Sequence, residues 1–255
     1  MNKIVIDSNK LNSYCDNNIE VKDGIIRFLC EGDYSLEFID CSDIDINIIV
    51  SDNICVKLFI MGIDNDINSK FIYKLGNNSN LILFKFYNNK NVREYEEVYL
   101  EGSYSKVSYN FSSICRGKEE YKIKIFHNNN YVSSYVSNKC IGNDGSKISF
   151  DIDSILDKGN IGCAMDQDTK VMCMGDVDCK VEPNMYIEED DVEARHGSVI
   201  GKFSDESIFY LMSRGISEDE AIKLLIKGFI LSNLVVDDDK RDKILDIINC
   251  NYGNL

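Results

Sequence analysis

The sequence predicts a mostly β chain, a solenoid ahead of a sandwich or barrel, followed by a helical C-terminal subdomain. Three observations carry this. Over residues 1 to about 200, short runs rich in β-branched and aromatic residues alternate with Asn, Asp and Gly at intervals of roughly ten to twelve residues. Several runs, such as "ICVKLFIM" and "NLILFKF", are apolar on both faces, which suits stacked parallel strands. Near residue 203 the pattern changes to helix-capping residues followed by apolar residues at helical spacing. No clean fixed-period repeat is visible.

The predicted strands run in order through "GIIRFLC" (24–30), "YSLEFID" (34–40), "DINIIVS" (45–51), "ICVKLFIMG" (54–62), "SNLILFKFYNN" (79–89) and "VREYEEVYLEG" (92–102). They continue through "SKVSYNFSSI" (105–114), "YKIKIFHNN" (121–129), "YVSSYVSNKCIG" (131–142) and "SKISFDIDSIL" (146–156). Pro occurs once, as Pro183, so Asn, Asp and Gly must make the corners. Asn tolerates the left-handed dihedrals that a tight bend needs.

Ser204 is placed to cap a helix over "DESIFYLMSRG", and Gly215 to end it. Ser217 and Glu220 have capping-box spacing ahead of a second helix. There Ile222, Leu225, Ile226, Phe229, Ile230 and Leu234 form one wide apolar face. Asp237 to Asp239 open a third helix, with Ile244, Leu245, Ile247 and Ile248 as its expected buried stripe. The predicted division is a β-rich core over 1–202 and a helical subdomain over 203–255.

The net charge of −15 and the lack of a basic stripe argue against nucleic acid. There is no apolar run of signal-peptide length at the N-terminus and none long enough for a membrane span, so a cytoplasmic protein is expected. Its ten cysteines are then thiols or metal ligands rather than disulfides. None lies in a CxxC pair, which disfavours a zinc ribbon or finger, and most suit a role as small buried residues.

The stretch "PNMYIEEDDVEARHGSVIGKFSDESIFYLMSRGISEDEAIKLLIKGF" (183–229) resembles the C-terminal signature of the SufB/SufD family, the paired proteins of the Suf iron–sulfur cluster assembly system. The elements come in order: a Pro opening an "LEI"-like strand, an acidic "DDV", a His-Gly, "FYLxSRGI" and an "EAxxLLxxGF" helix. Upstream, "FHNNNYVSSYVSNKCIGNDGSKISFDI" (126–152) and "MDQDTKVMCMGD" (165–176) are similar to two of the family's rungs. The resemblance covers about residues 120–235; residues 1–100 match only in general β character.

The resemblance implies a right-handed parallel β-helix flanked by helices and dimerisation through it, as a homodimer or with a SufB/SufD paralogue. It also implies docking of the SufC-like ABC-type ATPase on the C-terminal helices, with Phe203, Phe209, Tyr210, Arg214, Gly215 and Phe229 as candidates. An iron–sulfur cluster would be held transiently, as cargo, by an assembly factor without a catalytic site of its own. His196, at a strand end beside Gly197, belongs to the proposed cluster-building site; a neutral imidazole is a good borderline ligand for iron. His127 matches the family's upstream His, with a polar stack inside the β-helix as its alternative role.

The departures from the family fall at the same site. Gly197 stands where SufB-type members have Glu, Ala194 where SufD-type members often have Cys, and Thr169 where the SufB-type cysteine aligns. Cys173 lies on the same face of a strand as Thr169. With Cys163, Cys179 and His196 it offers the residue types of a Cys/His-ligated cluster. The alternative for these thiols is core filler.

Two other functional classes fit a strand-rich chain less well. A purely structural solenoid binding module predicts a secretory signal and rows of exposed aromatics; the signal is missing, and the tyrosines form no evident ladder. A metal-dependent hydrolase or β-helix lyase finds no support: there is no HExxH, no phosphate loop and no nucleophile–base pair.

Overall fold

Along residues 43–50, 67–75, 91–100 and 118–127 burial alternates, so every second side chain points inward. A computed structural model describes residues 2–7, 10–11, 14–15, 17–39 and 41–252. Asp40, the end of the predicted strand 34–40, lies outside them.

The chain opens with β1 (Asn2–Asp7), β2 (Lys10–Leu11), β3 (Tyr14–Cys15), β4 (Ile19–Lys22) and β5 (Ile25–Phe28). β6 (Gly32–Ile39), β7 (Asp43–Val50), β8 (Cys55–Asp64), β9 (Ile67–Leu75), β10 (Asn80–Asn89) and β11 (Asn91–Leu100) follow. Then come β12 (Lys106–Cys115), β13 (Lys118–His127), β14 (Ser133–Asn143), β15 (Lys147–Leu156), β16 (Cys163–Met174), β17 (Asp178–Ile187) and β18 (Val192–Gly201). Three helices close the chain: α1 (Asp205–Met212), α2 (Glu218–Leu231) and α3 (Asp238–Tyr252).

From β5 on, odd and even strands separate into two facing sheets, β5-β7-β9-β11-β13-β15-β17 and β6-β8-β10-β12-β14-β16-β18, with parallel pairing throughout. The result is a parallel β-solenoid of about six turns, as the strand pattern predicted. At the first end, the two-residue strands β2 and β3 pair antiparallel with β1 and β4 and form the edges of the two sheets. At the last end, β17 and β18 have no further neighbour among the described residues.

The missing sequence period has a structural cause: the coils lengthen along the chain. Bonded side chains on neighbouring coils are 25 residues apart at Asp43 and Asn68, 27 at Arg93 and Glu120, and 31 at Asn138 and Thr169. β9, "INSKFIYKL", is a full member of the stack that the strand reading passed over.

Inside, Val56, Leu58, Leu81, Leu83, Val107, Ile123, Ile125 and Ile152 belong to one continuous apolar core. A second core explains the two-faced strands: Phe59, Met61, Phe84, Phe86, Ile114 and Ile141 pack outward under Ile226 and Ile230 of α2 and Ile244, Ile248 and Tyr252 of α3. It is helix cover, rather than strand stacking alone, that makes "ICVKLFIM" and "NLILFKF" apolar throughout. Polar groups fix the docking. Asn233 Nδ2 donates to the carbonyls of Phe111 (2.7 Å) and Ser137 (2.8 Å), and the Tyr252 hydroxyl donates to Asn143 Oδ1 (2.7 Å).

The caps form as expected. Ser204 and Ser217 accept from the backbone N–H of Ser207 and Glu220, and Gly215 takes φ +87°. The third helix differs in detail: Ile244, Ile248 and Tyr252 are its buried residues at four-residue spacing, while Leu245 and Ile247 are half-buried.

Candidate functional site: the open end and the helical hairpin

β18 carries His196 in its middle rather than at a strand end, paired in register with Gln167 of β16. Alternation places Ala194, His196, Ser198 and Ile200 on the inner face and Gly197 on the outer one. Since no coil follows, this inner face is exposed; Ile200 is 49% exposed, and Val199 behind it 46%.

The coil beneath is polar. Thr169 is buried and accepts from Asn138 Nδ2 (3.0 Å). Gln167 Nε2 donates to Ser154 Oγ (2.7 Å) and to the Asn184 carbonyl (3.3 Å). Gln167 Oε1 and Asn138 Oδ1 are buried acceptors without a hydrogen-bond partner among the described residues.

The predicted ligands do not converge within one chain. Cys173 does face inward with Thr169, but it sits six positions beyond the register of His196 along β16, about 20 Å at the rise of a strand. Cys163, inward and buried, lies four positions the other way, about 13 Å. Cys179 is on the opposite sheet, in register with Ile148. No group of three or more His, Cys, Asp or Glu among the described residues could hold a metal ion. The alternation was legible in sequence; the reach depends on strand register, which was not.

The thiols are held protonated. Burial raises Cys163 and Cys173, and it pushes Cys179 up to about 11, with Cys173 and Asp178 adding to the rise. His127 is buried, its Nδ1 3.1 Å from the Ile155 carbonyl and its Nε2 2.9 Å from Ser134 Oγ. The carbonyl fixes the proton on Nδ1, so Nε2 accepts from Ser134. Burial lowers its pKa to about 4. It is a neutral member of a polar stack, with both ring nitrogens engaged.

The hairpin of α1 and α2 splits the docking candidates. Phe203 and Phe229 pack edge to face at 6.0 Å, between the hairpin and the sheet. Phe209 (72% exposed) and Tyr210 (58%) point outward, and the Arg214 guanidinium lies 5.3 Å from the Tyr210 ring centre. They border a groove of about 690 Å³ lined by Glu206, Ser207, Phe209, Tyr210, Leu211, Ser213 and Leu225. Exposed Met212 and Leu224 extend the apolar surface; the sequence reading took neither as a docking residue.

Two stacked aromatic pairs lie on the coils, Tyr99 on Phe126 (4.7 Å, 5°) and Tyr104 on Tyr131 (5.1 Å, 8°), short of a ladder. Part of each pair is occupied from within the chain. Lys74 lies over Tyr99, and the Tyr131 ring fills the place where Gly162 lacks a Cβ. Stacked rings of this kind tie coils together and leave no broad face for a sugar.

No helix among the described residues is long and apolar enough to cross a membrane. Over 141 residues the chain is 28% identical to an iron–sulfur cluster assembly SufBD family protein of Mycobacterium tuberculosis, covering 54% of this chain and 16% of that one. A Mycobacterium leprae protein of the same description is 50% identical over 58 residues, 21% of this chain and 15% of the relative. One from Staphylococcus saprophyticus is 32% identical over 113 residues, 42% and 23%. The matched stretches thus span less than a quarter of these relatives' own length. The family model described as "SUF system FeS cluster assembly, SufBD core domain" matches residues 66–229, from β9 through most of the helical hairpin. That is more than half of the chain, and the chain belongs to the SufBD core family.

Proposed function

We propose that this protein is a scaffold or scaffold-partner subunit in iron–sulfur cluster assembly. The observation that carries this reading is the family match, which runs without a break through the open solenoid end and into the helical hairpin. In this reading residues 1–202 form the stack, and 203–255 dock an ABC-type ATPase through the groove beside Phe209, Tyr210 and Arg214. The exposed edges of β17 and β18 pair with a second chain, a copy or a paralogue. The cluster is cargo, and the chain does no chemistry on a small-molecule substrate.

The partner role is the better supported of the two. His196 is exposed at the open end, yet no thiol among the described residues lies on its strand or at its register. A cluster held there takes its thiolates from the other chain.

Anaerobic reconstitution with iron, sulfide and the cognate ATPase, read by visible absorption and by iron and sulfide content, tests this. Cluster uptake by the chain alone, lost in His196→Ala or Cys173→Ser, makes it a scaffold. Uptake only with a SufB-like paralogue, lost in His196→Ala, makes it the partner. A folded chain that binds neither cluster nor ATPase overturns the reading.

A further inference from the structure

Three carboxylates and one ammonium share the middle of the solenoid. Lys85 of β10, the one Lys or Arg in the buried core of the described residues, donates to Glu94 (2.7 Å) and Glu96 (2.5 Å) of β11. Tyr87 and Ser69 donate to Glu94 Oε2 at 2.7 and 2.8 Å, and Tyr73 to Glu96 Oε1 at 3.2 Å. The rings of Phe71, Tyr87 and Tyr109 surround the ammonium.

Glu119 of β13 has no cation. It lies between Val92 and Ile148 in its own sheet. Ser113 Oγ donates to its Oε2 (2.8 Å), with Cys140 Sγ 3.7 Å away on β14. Cys115 of β12 faces it across the interior, and Glu94, on the neighbouring strand β11 of its own sheet and in register with Tyr121, is the other titratable group near it. Glu119 Oε1 and the Tyr121 hydroxyl make no hydrogen bond of normal geometry.

One ammonium cannot neutralise three carboxylates, and a buried carboxylate without a cation takes up a proton instead. We propose that Glu119 is a neutral acid in the folded chain and makes the middle of the stack a pH-sensitive element, tight while the carboxyl keeps its proton and loosened as rising pH ionises it.

The sign follows from burial, which raises Glu119 to about 7 from the ordinary 4.5 and raises Glu96 as well, against the pull of Lys85. A raised carboxyl contributes stability that is complete below the unfolded value and is lost as pH rises toward the folded one. The loss therefore runs from about pH 4.5 to about pH 7. In that window each such group lowers the folding equilibrium constant by up to about tenfold per pH unit.

The test is urea unfolding of wild type and Glu119→Gln at pH 5, 6, 7 and 8. The expected result is a ratio of wild-type to variant folding constant that falls from pH 5 to 7, by up to about a hundredfold over the two units, whatever slope the other titrating groups, His127 among them, add to both proteins. Equal slopes overturn the proposal. Should the variant not fold, the infrared carbonyl stretch of a protonated carboxyl decides in Glu96→Gln at pH 6, where exposed carboxyls are ionised and the other raised carboxyl is gone. Its presence in the folded chain supports the proposal and its absence overturns it.

Discussion

His196 and Gln167 are register partners on β18 and β16, and they differ in one respect that decides their roles: Gln167 is buried and His196 is exposed. Truncating the first therefore costs stability and truncating the second does not. His196→Ala is expected to leave the unfolding midpoint within about 0.5 kcal/mol of wild type while lowering iron retention in the assembled complex. Gln167→Ala, which strands the Ser154 hydroxyl and leaves a cavity, should cost about 1–3 kcal/mol. Denaturant titration beside iron analysis checks both.

The hairpin residues separate in the same way. Phe209→Ala and Tyr210→Ala remove exposed rings bordering the groove and should weaken ATPase binding tenfold or more with little change in melting temperature. Arg214→Glu, a charge reversal above the Tyr210 ring, should do likewise. Phe229→Ala breaks the contact with Phe203 and should cost about 3 kcal/mol of stability before any effect on binding is read. Wild-type affinity in folded Phe209→Ala and Tyr210→Ala variants would remove this surface from the docking site.

Removing the buried cation should be severe. Lys85→Met leaves Glu94 and Glu96 uncompensated and is expected to destabilise by about 3–5 kcal/mol. Adding Glu94→Gln and Glu96→Gln should restore part of that loss. A triple variant no more stable than Lys85→Met would show that shape, not charge, dominates the site.

His127 gives an acid limb. Its folded pKa, near 4, lies below the ordinary 6.5. Its stability contribution is thus complete above pH 6.5 and is lost as pH falls from there to about 4. The loss amounts to roughly 3 kcal/mol for the full shift. The ratio of His127→Gln to wild-type folding constant should rise as pH falls through that window, which separates this limb from the opposite slope of Glu119; an unchanged ratio would place the acid sensitivity elsewhere.

Much of this was readable without coordinates, because strands, caps and the hairpin rest on local rules. Ser204, Ser217 and Gly215 act where their chemistry says they should. β9 was missed although its burial alternates cleanly; a half-polar strand between an Asp-Asn-Asp turn and an Asn-rich one resembles a loop. The outward Phe59 and Phe84 could not be assigned a cover, since α2 and α3 reach them from far along the chain. The thiols faced the expected side yet lay too far apart, because side follows from counting along one strand and distance from the register between two.

The two ends of the stack are unequal: the first closes in two-residue antiparallel strands, β2 and β3, whereas the last presents the ten-residue parallel strands β17 and β18 with no further neighbour among the described residues. In the language of polymer chemistry, the two ends differ in functionality: the last can template a further parallel strand along its whole length, and the first presents an edge that is short and of opposite direction. Two stacks joined last end to last end would consume both long edges, so growth through these edges alone would terminate at a pair.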